Sequence, residues 1–300
     1  MRSERDRLRG EIERELAAFP GTAGVAAKDL GTGEEIRVNA DALMPTASTV
    51  KVPILIELFR QVDAGEVCLD DRLATTAETS VRGSGILREL SLGVVLSVRD
   101  LATLMIVVSD NTVTNLLIDL VGVDRVNRTL DDLGFPRTRL VQRLDFVKIG
   151  KDARNLAVTT PDDLAGIMAV LATGTLLTET SREAILAIMR RQHHLALVPR
   201  YLPYNPYAEE MGEPDNGLHI ANKTGGWSGL RADMALVEWP GTRYVVAVVT
   251  KGHPDTRFWA EHEADRVIGR ISRRLFGHFG GGALGAVPPT AAREQAEARR

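Results

Sequence analysis

Strand-forming sequence lies at the two ends of this chain, and the long stretch between them has the texture of helices. Near the start, Gly24–Asp29 and Glu34–Asn39 flank the turn Gly31-Thr32-Gly33 in the manner of a hairpin. Near the end, His219–Lys223, Ala232–Trp239 and Tyr244–Thr250 have the same texture, the last two joined by Pro240-Gly241. Between them, Val52–Val62, Val98–Val108, Asn111–Leu120, Val123–Leu133, Pro161–Leu171 and Ser181–Arg190 carry apolar residues at helical spacing, with start signals such as Ser97 and Thr160-Pro161. A first helix near Glu4–Phe19 puts Leu8, Ile12, Leu16 and Phe19 on one face; a last one, Thr256–Phe276, puts Phe258, His262, Val267, Ile271 and Leu275 along its buried side. Strands this far apart in sequence bury their faces by pairing with one another. The expected fold is therefore α/β, of the α+β sandwich kind: one antiparallel sheet built from both termini, flanked by the terminal helices, with an all-helical lobe inserted. Residues 1–47 plus 193–276 are assigned to the sheet lobe and 48–192 to the helical lobe; 277–300, rich in Gly, Ala, Pro and charge, is expected to be a disordered tail. The segment Tyr201–Gly217 is expected to be a surface loop, more simply a variable loop than a lid over the cleft between lobes.

A chain of 300 residues, 44% apolar and 26% charged, has the material for a substantial core. Its formal net charge of −3 gives no handle for nucleic acid or an anionic membrane. The histidines form no metal pattern, no paired Cys-x-x-Cys occurs, and Cys68 is alone, so neither cofactor, metal nor internal disulfide is expected. The opening Met1-Arg2-Ser3-Glu4 is charged and lacks the apolar core of an export signal, and no stretch approaches a membrane span. The expected address is cytoplasmic, although a leader removed beforehand would leave the same sequence. No pattern bears on oligomeric state.

Three short motifs carry the chemistry: Ser48-Thr49-Val50-Lys51, Ser109-Asp110-Asn111 and Lys223-Thr224-Gly225-Gly226. A serine hydroxyl needs a base to become a nucleophile, and a lysine three residues on lies on the same side of a helical turn. Pro45 and Pro53 frame the start of that helix, which puts Ser48 at the positive end of its dipole. A lysine buried there beside other cations loses affinity for its proton, so Lys51 can serve as the base. In the second motif Ser109 can relay a proton to a leaving nitrogen and Asn111 can bond a substrate amide, while Asp110 suits the cap of the following helix. In the third, Lys223 adds positive charge, Thr224 can bond a carboxylate, and the glycines admit a substrate against the strand edge. A backbone N–H there, with that of Ser48, could form an oxyanion hole. Arg231 on the adjoining strand offers a carboxylate fork, or is a surface strand charge.

The motif set resembles that of the class A β-lactamases and penicillin-binding proteins. Gly83-Ser84-Gly85-Ile86-Leu87, the run Arg99-Asp100-Leu101 through Asn115, Arg143-Leu144-Asp145, Thr159-Thr160-Pro161 and the late strands extend the resemblance over roughly residues 10 to 276. It implies that Ser48 is the acylated nucleophile and Lys51 its base partner. It further implies that Ser109 and Asn111 form the second motif and Lys223 and Thr224 the third, and that Gly226 gives the second oxyanion N–H. One departure stands out. Class A enzymes carry a loop glutamate that positions the deacylating water, and no glutamate occurs here between Arg143 and Pro161. Lys148 falls where the glutamate is expected, Asn115 matches the asparagine that tethers the loop, and Asp145 and Asp152 suit loop salt bridges better than a substitute base. The implied activity is a serine hydrolase acting on a small acyl substrate, opening a β-lactam amide through acyl-Ser48 with slow deacylation. The alternatives are an esterase, an amidase or a DD-peptidase-like hydrolase on the same fold, or a binding protein that is acylated without turnover.

Overall fold

The computed structural model describes residues 3–280. Ten strands and nine α-helices are described: α1 (Glu4–Ala17), β1 (Thr22–Asp29), β2 (Glu35–Val38), β3 (Met44–Pro45), α2 (Lys51–Asp63), β4 (Arg72–Ala74), β5 (Val95–Ser97), α3 (Val98–Val107), α4 (Asn111–Val121), α5 (Val123–Asp132), β6 (Arg139–Leu140), α6 (Phe146–Ile149), β7 (Ala157–Thr159), α7 (Pro161–Thr173), α8 (Glu179–Arg190), β8 (His219–Trp227), β9 (Leu230–Trp239), β10 (Thr242–Lys251) and α9 (Glu263–Phe279). The main sheet has the order β2-β1-β10-β9-β8. β1 pairs antiparallel with β10 from Thr22↔Lys251 to Asp29↔Tyr244, so the first strand is held by the last.

The strands alternate between two buried faces, as a period of two residues demands. Val246 and Val248 on β10, with Ala235 and Val237 on β9, face Leu8, Ile12 and Leu16 of α1 and Val267, Ile268, Ile271 and Leu275 of α9. Val245, Ala247 and Val249, with Met234 and Leu236, face the inserted helices and merge with their core. α2 is buried on nearly all sides, which is what a helix apolar around its whole circumference requires. Its one buried carboxylate, Glu57, is bonded by Gln61, Arg125 and Thr129. Among the described residues no helix is long and apolar enough to cross a membrane.

Two expectations at the C-terminal end need correction. The last helix begins at Glu263 rather than Thr256, because Asp255 bonds the Arg257 N–H and side chain, and His262 caps the helix through Ala264 N–H. Phe258 is therefore not on a buried helix face; it is 69% exposed and borders the cleft. The helix also runs on to Phe279, so a tail cannot start at 277; the rest of that assignment, 281–300, lies outside the described residues.

Candidate active site

Ser48 lies in a 3₁₀ turn, Ala47–Val50, that continues directly into α2. Its N–H is among the early helical N–H groups that lack a carbonyl partner within the helix. Ala47, just before it, holds φ at 45°, and Ser109 holds φ at 55°. Left-handed backbone at residues with side chains costs about 1–3 kcal/mol and persists where the surroundings enforce it. β8 does the enforcing at Ala47: a Cβ on Gly225 would lie 2.9 Å from Thr46 O, 3.0 Å from Ser48 N and 3.1 Å from Ala47 Cβ. Only glycine lets the strand edge run this close to the nucleophile.

β8 is an edge strand, so every second residue turns its N–H and C=O away from β9. Side chains take up the outward carbonyls of Asn222 (Gln192 Nε2, 3.3 Å) and Thr224 (Lys223 Nζ, 2.7 Å). By the same alternation the Gly226 N–H points outward too, alongside Ser48 on the wall of one cavity.

The three motifs converge on Ser109. Lys51 Nζ lies 3.0 Å from Ser109 Oγ, 2.7 Å from its carbonyl and 2.9 Å from Asn111 Oδ1. Lys223 Nζ reaches the same Ser109 Oγ at 3.1 Å. The Lys51 backbone N–H donates to the Ser48 carbonyl, but among the described residues no hydrogen bond joins the Ser48 hydroxyl to the Lys51 amine, so the one-turn reach expected between the side chains is not realised here; the amine turns to the second motif. Both lysines are buried. Desolvation, then the charge of Lys223, holds Lys51 well below the usual lysine range, against a smaller pull from Asp110. Desolvation lowers Lys223 to about 7, with Asp233 pulling the other way. Asp233, fully buried, is itself raised to about 7 by desolvation, opposed by hydrogen bonds from Val198 N–H and Asn222. Asp110 caps α4 at Val113 N–H and also accepts from Ile86 and Leu87 N–H, which fixes the loop before it.

Two cavities adjoin Ser48. The larger, about 780 Å³, is lined by Ser48, Ser84, Asn111, Leu144, Phe146 and Trp227 among others. The smaller, about 240 Å³, brings together Ser48, Ser109, His194, Thr224, Gly226 and Arg231. Arg231 is not the surface charge offered as one reading. It is 4% exposed; its Nε lies 2.9 Å from Asp265 Oδ1, and its Nη atoms donate to the carbonyls of Trp227, Leu230 and Arg257. It borders the smaller cavity with its charge already matched, which weakens it as a free carboxylate fork.

The loop between β6 and β7 lacks a carboxylate on the cavity. Asn115 clamps it by bonding both Leu144 N–H (2.8 Å) and Leu144 C=O (2.9 Å), and Arg143 pairs with Asp119 at 2.8 Å. Leu144, not Lys148, is thus the loop residue held over the site. The Lys148 side chain is 72% exposed and lies 3.8 Å from Asp145. The expectation for Lys148 counted residues along a loop whose short α6 presents Phe146 to the cleft and leaves Lys148 off its wall. Asp145 caps that helix, and Asp152 is bonded by Arg154. No residue of the Tyr201–Gly217 segment lines either cavity.

Ser84 entered only within the run Gly83–Leu87, without a role, and Phe146, Trp227 and His194 were not singled out by the sequence. Trp227 could have been, since it stands just past the Lys-Thr-Gly-Gly run on an edge strand. His194, lowered by desolvation and by Lys223, carried no local signal.

The profile of the β-lactamase enzyme family matches residues 7–279. A β-lactamase of Streptomyces fradiae is 28% identical over 280 residues, covering 90% of this chain and 85% of that protein. The crystal structure of a β-lactamase from Sphaerobacter thermophilus superposes with a TM-score of 0.82 at 34% identity, covering 93% of this chain and 98% of that one. A mutant of PBP-A, solved as an acyl-enzyme complex with penicillin G, superposes with a TM-score of 0.79 at 30% identity, covering 92% of this chain and 97% of that one. With a match of this extent and a β-lactamase-like fold, the chain belongs to the β-lactamase enzyme family.

Proposed function

We propose that the protein opens β-lactam amides through an acyl-Ser48 intermediate and releases the acyl group slowly. The observation that carries this is the sharing of Ser109 Oγ by two buried lysines, Lys51 at 3.0 Å and Lys223 at 3.1 Å, beside a serine at a helix start. A neutral Lys51 amine has two N–H groups and one lone pair. The Ser109 carbonyl and Asn111 Oδ1 take the two N–H groups, which leaves the lone pair for a proton. Ser48 Oγ attacks the lactam carbonyl carbon as its proton passes to Lys51. The carbonyl oxygen becomes an oxyanion, held by the N–H groups of Ser48 and Gly226. The C–N bond then breaks, the ring nitrogen takes a proton from Ser109 Oγ, and Lys51 returns its own to Ser109. Lys223 and Thr224 face the substrate carboxylate. Water must then cleave the Ser48 ester, and no carboxylate lines the larger cavity to activate it. The acyl-enzyme complex of the PBP-A mutant supports covalent capture on this fold.

Intact-mass spectrometry after exposure to benzylpenicillin tests the reading. The wild type is expected to gain one penicillin mass that decays slowly, and Ser48→Ala to gain none. An adduct that survives in Ser48→Ala sinks the nucleophile. Rapid steady hydrolysis of a chromogenic cephalosporin, without a single-equivalent burst, sinks slow release.

A further inference from the structure

We propose that the acyl side chain this site accepts is aromatic and either neutral or anionic, seated among Phe146, Trp227 and Phe258. The inference rests on the acyl-Ser48 reading above and names the substrate class of that site. Phe146, from the loop beyond Leu144, stacks on Trp227 of the sheet edge with ring centroids 5.4 Å apart and planes 16° from parallel. The pair therefore bridges the loop and β8 across the larger cavity. Phe258 closes another side: a Cβ on Gly226 would lie 2.9 Å from its ring. Leu144 and Leu156 add apolar wall beside them. Apolar surface gathered in a concave site next to a nucleophile gains most by covering a flat apolar group.

Charge decides between aromatic substrates. None of the residues lining this cavity is a carboxylate, and its one charged side chain is Lys151, which makes no ion pair among the described residues. An ammonium group here would meet a like charge and no acceptor of opposite sign. Cation–π attraction does not offset this. Arg231 already lies 4.1 Å from the Phe258 ring centre, and Phe146 and Trp227 turn faces to each other. A carboxylate would instead find Lys151.

Three penicillins with one nucleus separate these cases: benzylpenicillin, its α-amino derivative ampicillin and its α-carboxy derivative carbenicillin. Acylation of Ser48 is followed by intact mass at about pH 6.5, where an α-amino group is protonated. Ampicillin is expected to acylate roughly tenfold more slowly than benzylpenicillin, and carbenicillin at least as fast. Lys151→Glu is expected to reverse the order of the two charged compounds. Trp227→Ala should slow benzylpenicillin roughly tenfold while sparing a penicillin with a methyl group in place of the benzyl. Equal rates for the three compounds in the wild type, or ampicillin fastest, overturn the inference and leave the acyl-Ser48 reading standing. Equal slowing of the benzyl and methyl compounds by Trp227→Ala also overturns it. No adduct from any compound overturns the acyl-enzyme reading and this inference with it.

Discussion

The two sides of the cleft are built to different standards. On the side of Ser48, two buried lysines, a strained serine and an asparagine close a hydrogen-bonded circuit around Ser109 Oγ. On the side of the loop between β6 and β7, the backbone is held as firmly, by Asn115 and Arg143, yet what it presents to the cavity is Leu144, Phe146 and Leu156. Rigidity is common to both sides; proton-accepting chemistry faces the cavity on one. Under the proposed function, forming and breaking an acyl-enzyme are separable tasks, and the cavity would furnish the first without a carboxylate for the second.

The largest expected effect breaks the active side. Lys51→Met removes the amine while keeping an unbranched apolar chain, and acylation by benzylpenicillin is expected to fall about 10²–10⁴-fold, the usual worth of general-base catalysis. Near-normal acylation would move the base elsewhere. Next comes an attempt to equip the other side. Leu144→Glu puts a carboxylate where Asn115 clamps the loop, and the acyl-enzyme lifetime is expected to shorten by about 10²-fold. Lys148→Glu, on an exposed side chain, should leave that lifetime unchanged. Equal lifetimes in wild type and both variants would show that the loop backbone, not its side chain, prevents water attack. A smaller effect tests the clamp itself. Asn115→Ala strips both hydrogen bonds from Leu144 and is expected to cost about 1–3 kcal/mol in urea unfolding, through buried polar groups left unmatched. No loss of stability would show that the loop is held by its other contacts, the Arg143–Asp119 pair among them.

The convergence of the three motifs on the Ser48 side was largely legible in the sequence because their parts are local. Ser48 and Lys51 sit one turn apart, Ser109-Asp110-Asn111 follows a buried helix, and Lys223-Thr224-Gly225 sits on a strand, although that strand runs on to Trp227 rather than ending at the motif. What stayed hidden depends on long-range geometry. Lys51 turning from Ser48 to Ser109 depends on where α4 begins relative to α2. The pairing of Arg231 with Asp265 joins β9 to α9. Phe258 has the spacing of a core helix, and only the local bonding of Asp255 and His262 stops that helix from forming. Leu144 against Lys148 is a matter of which way a short loop turns, and hydrophobic pattern carries no information about that. That both ends share one antiparallel sheet followed from their texture, but the strand order did not: β8 and β9 are as long as β1 and nearer in sequence, yet β10 is the strand beside it.

The smallest effect is a slope, and its sign follows from burial. Lys223 titrates near 7 in the folded chain, below the ordinary lysine value of 10.5. Below about pH 7 it is charged in both folded and unfolded chains and adds no pH dependence. Between about pH 7 and 10 it is neutral when folded and charged when unfolded, so the unfolded chain binds more protons and stability rises with pH. Lys223→Met removes that contribution. In urea unfolding from about pH 7.5 to 9.5, its stability is expected to climb less steeply than the wild type's, by at most about 1.4 kcal/mol per pH unit. That bound is for Lys223 alone, and Lys51 does not oppose it: the charge of Lys223 helps to lower Lys51, so losing Lys223 lets Lys51 hold its proton better and flattens its contribution in the same direction. Parallel curves would mean that Lys223 keeps its proton throughout, held by Asp233 more strongly than burial opposes it. The active side would then work with a permanent cation behind Ser109, and the contrast between the two sides of the cleft would be one of charge as well as of chemistry.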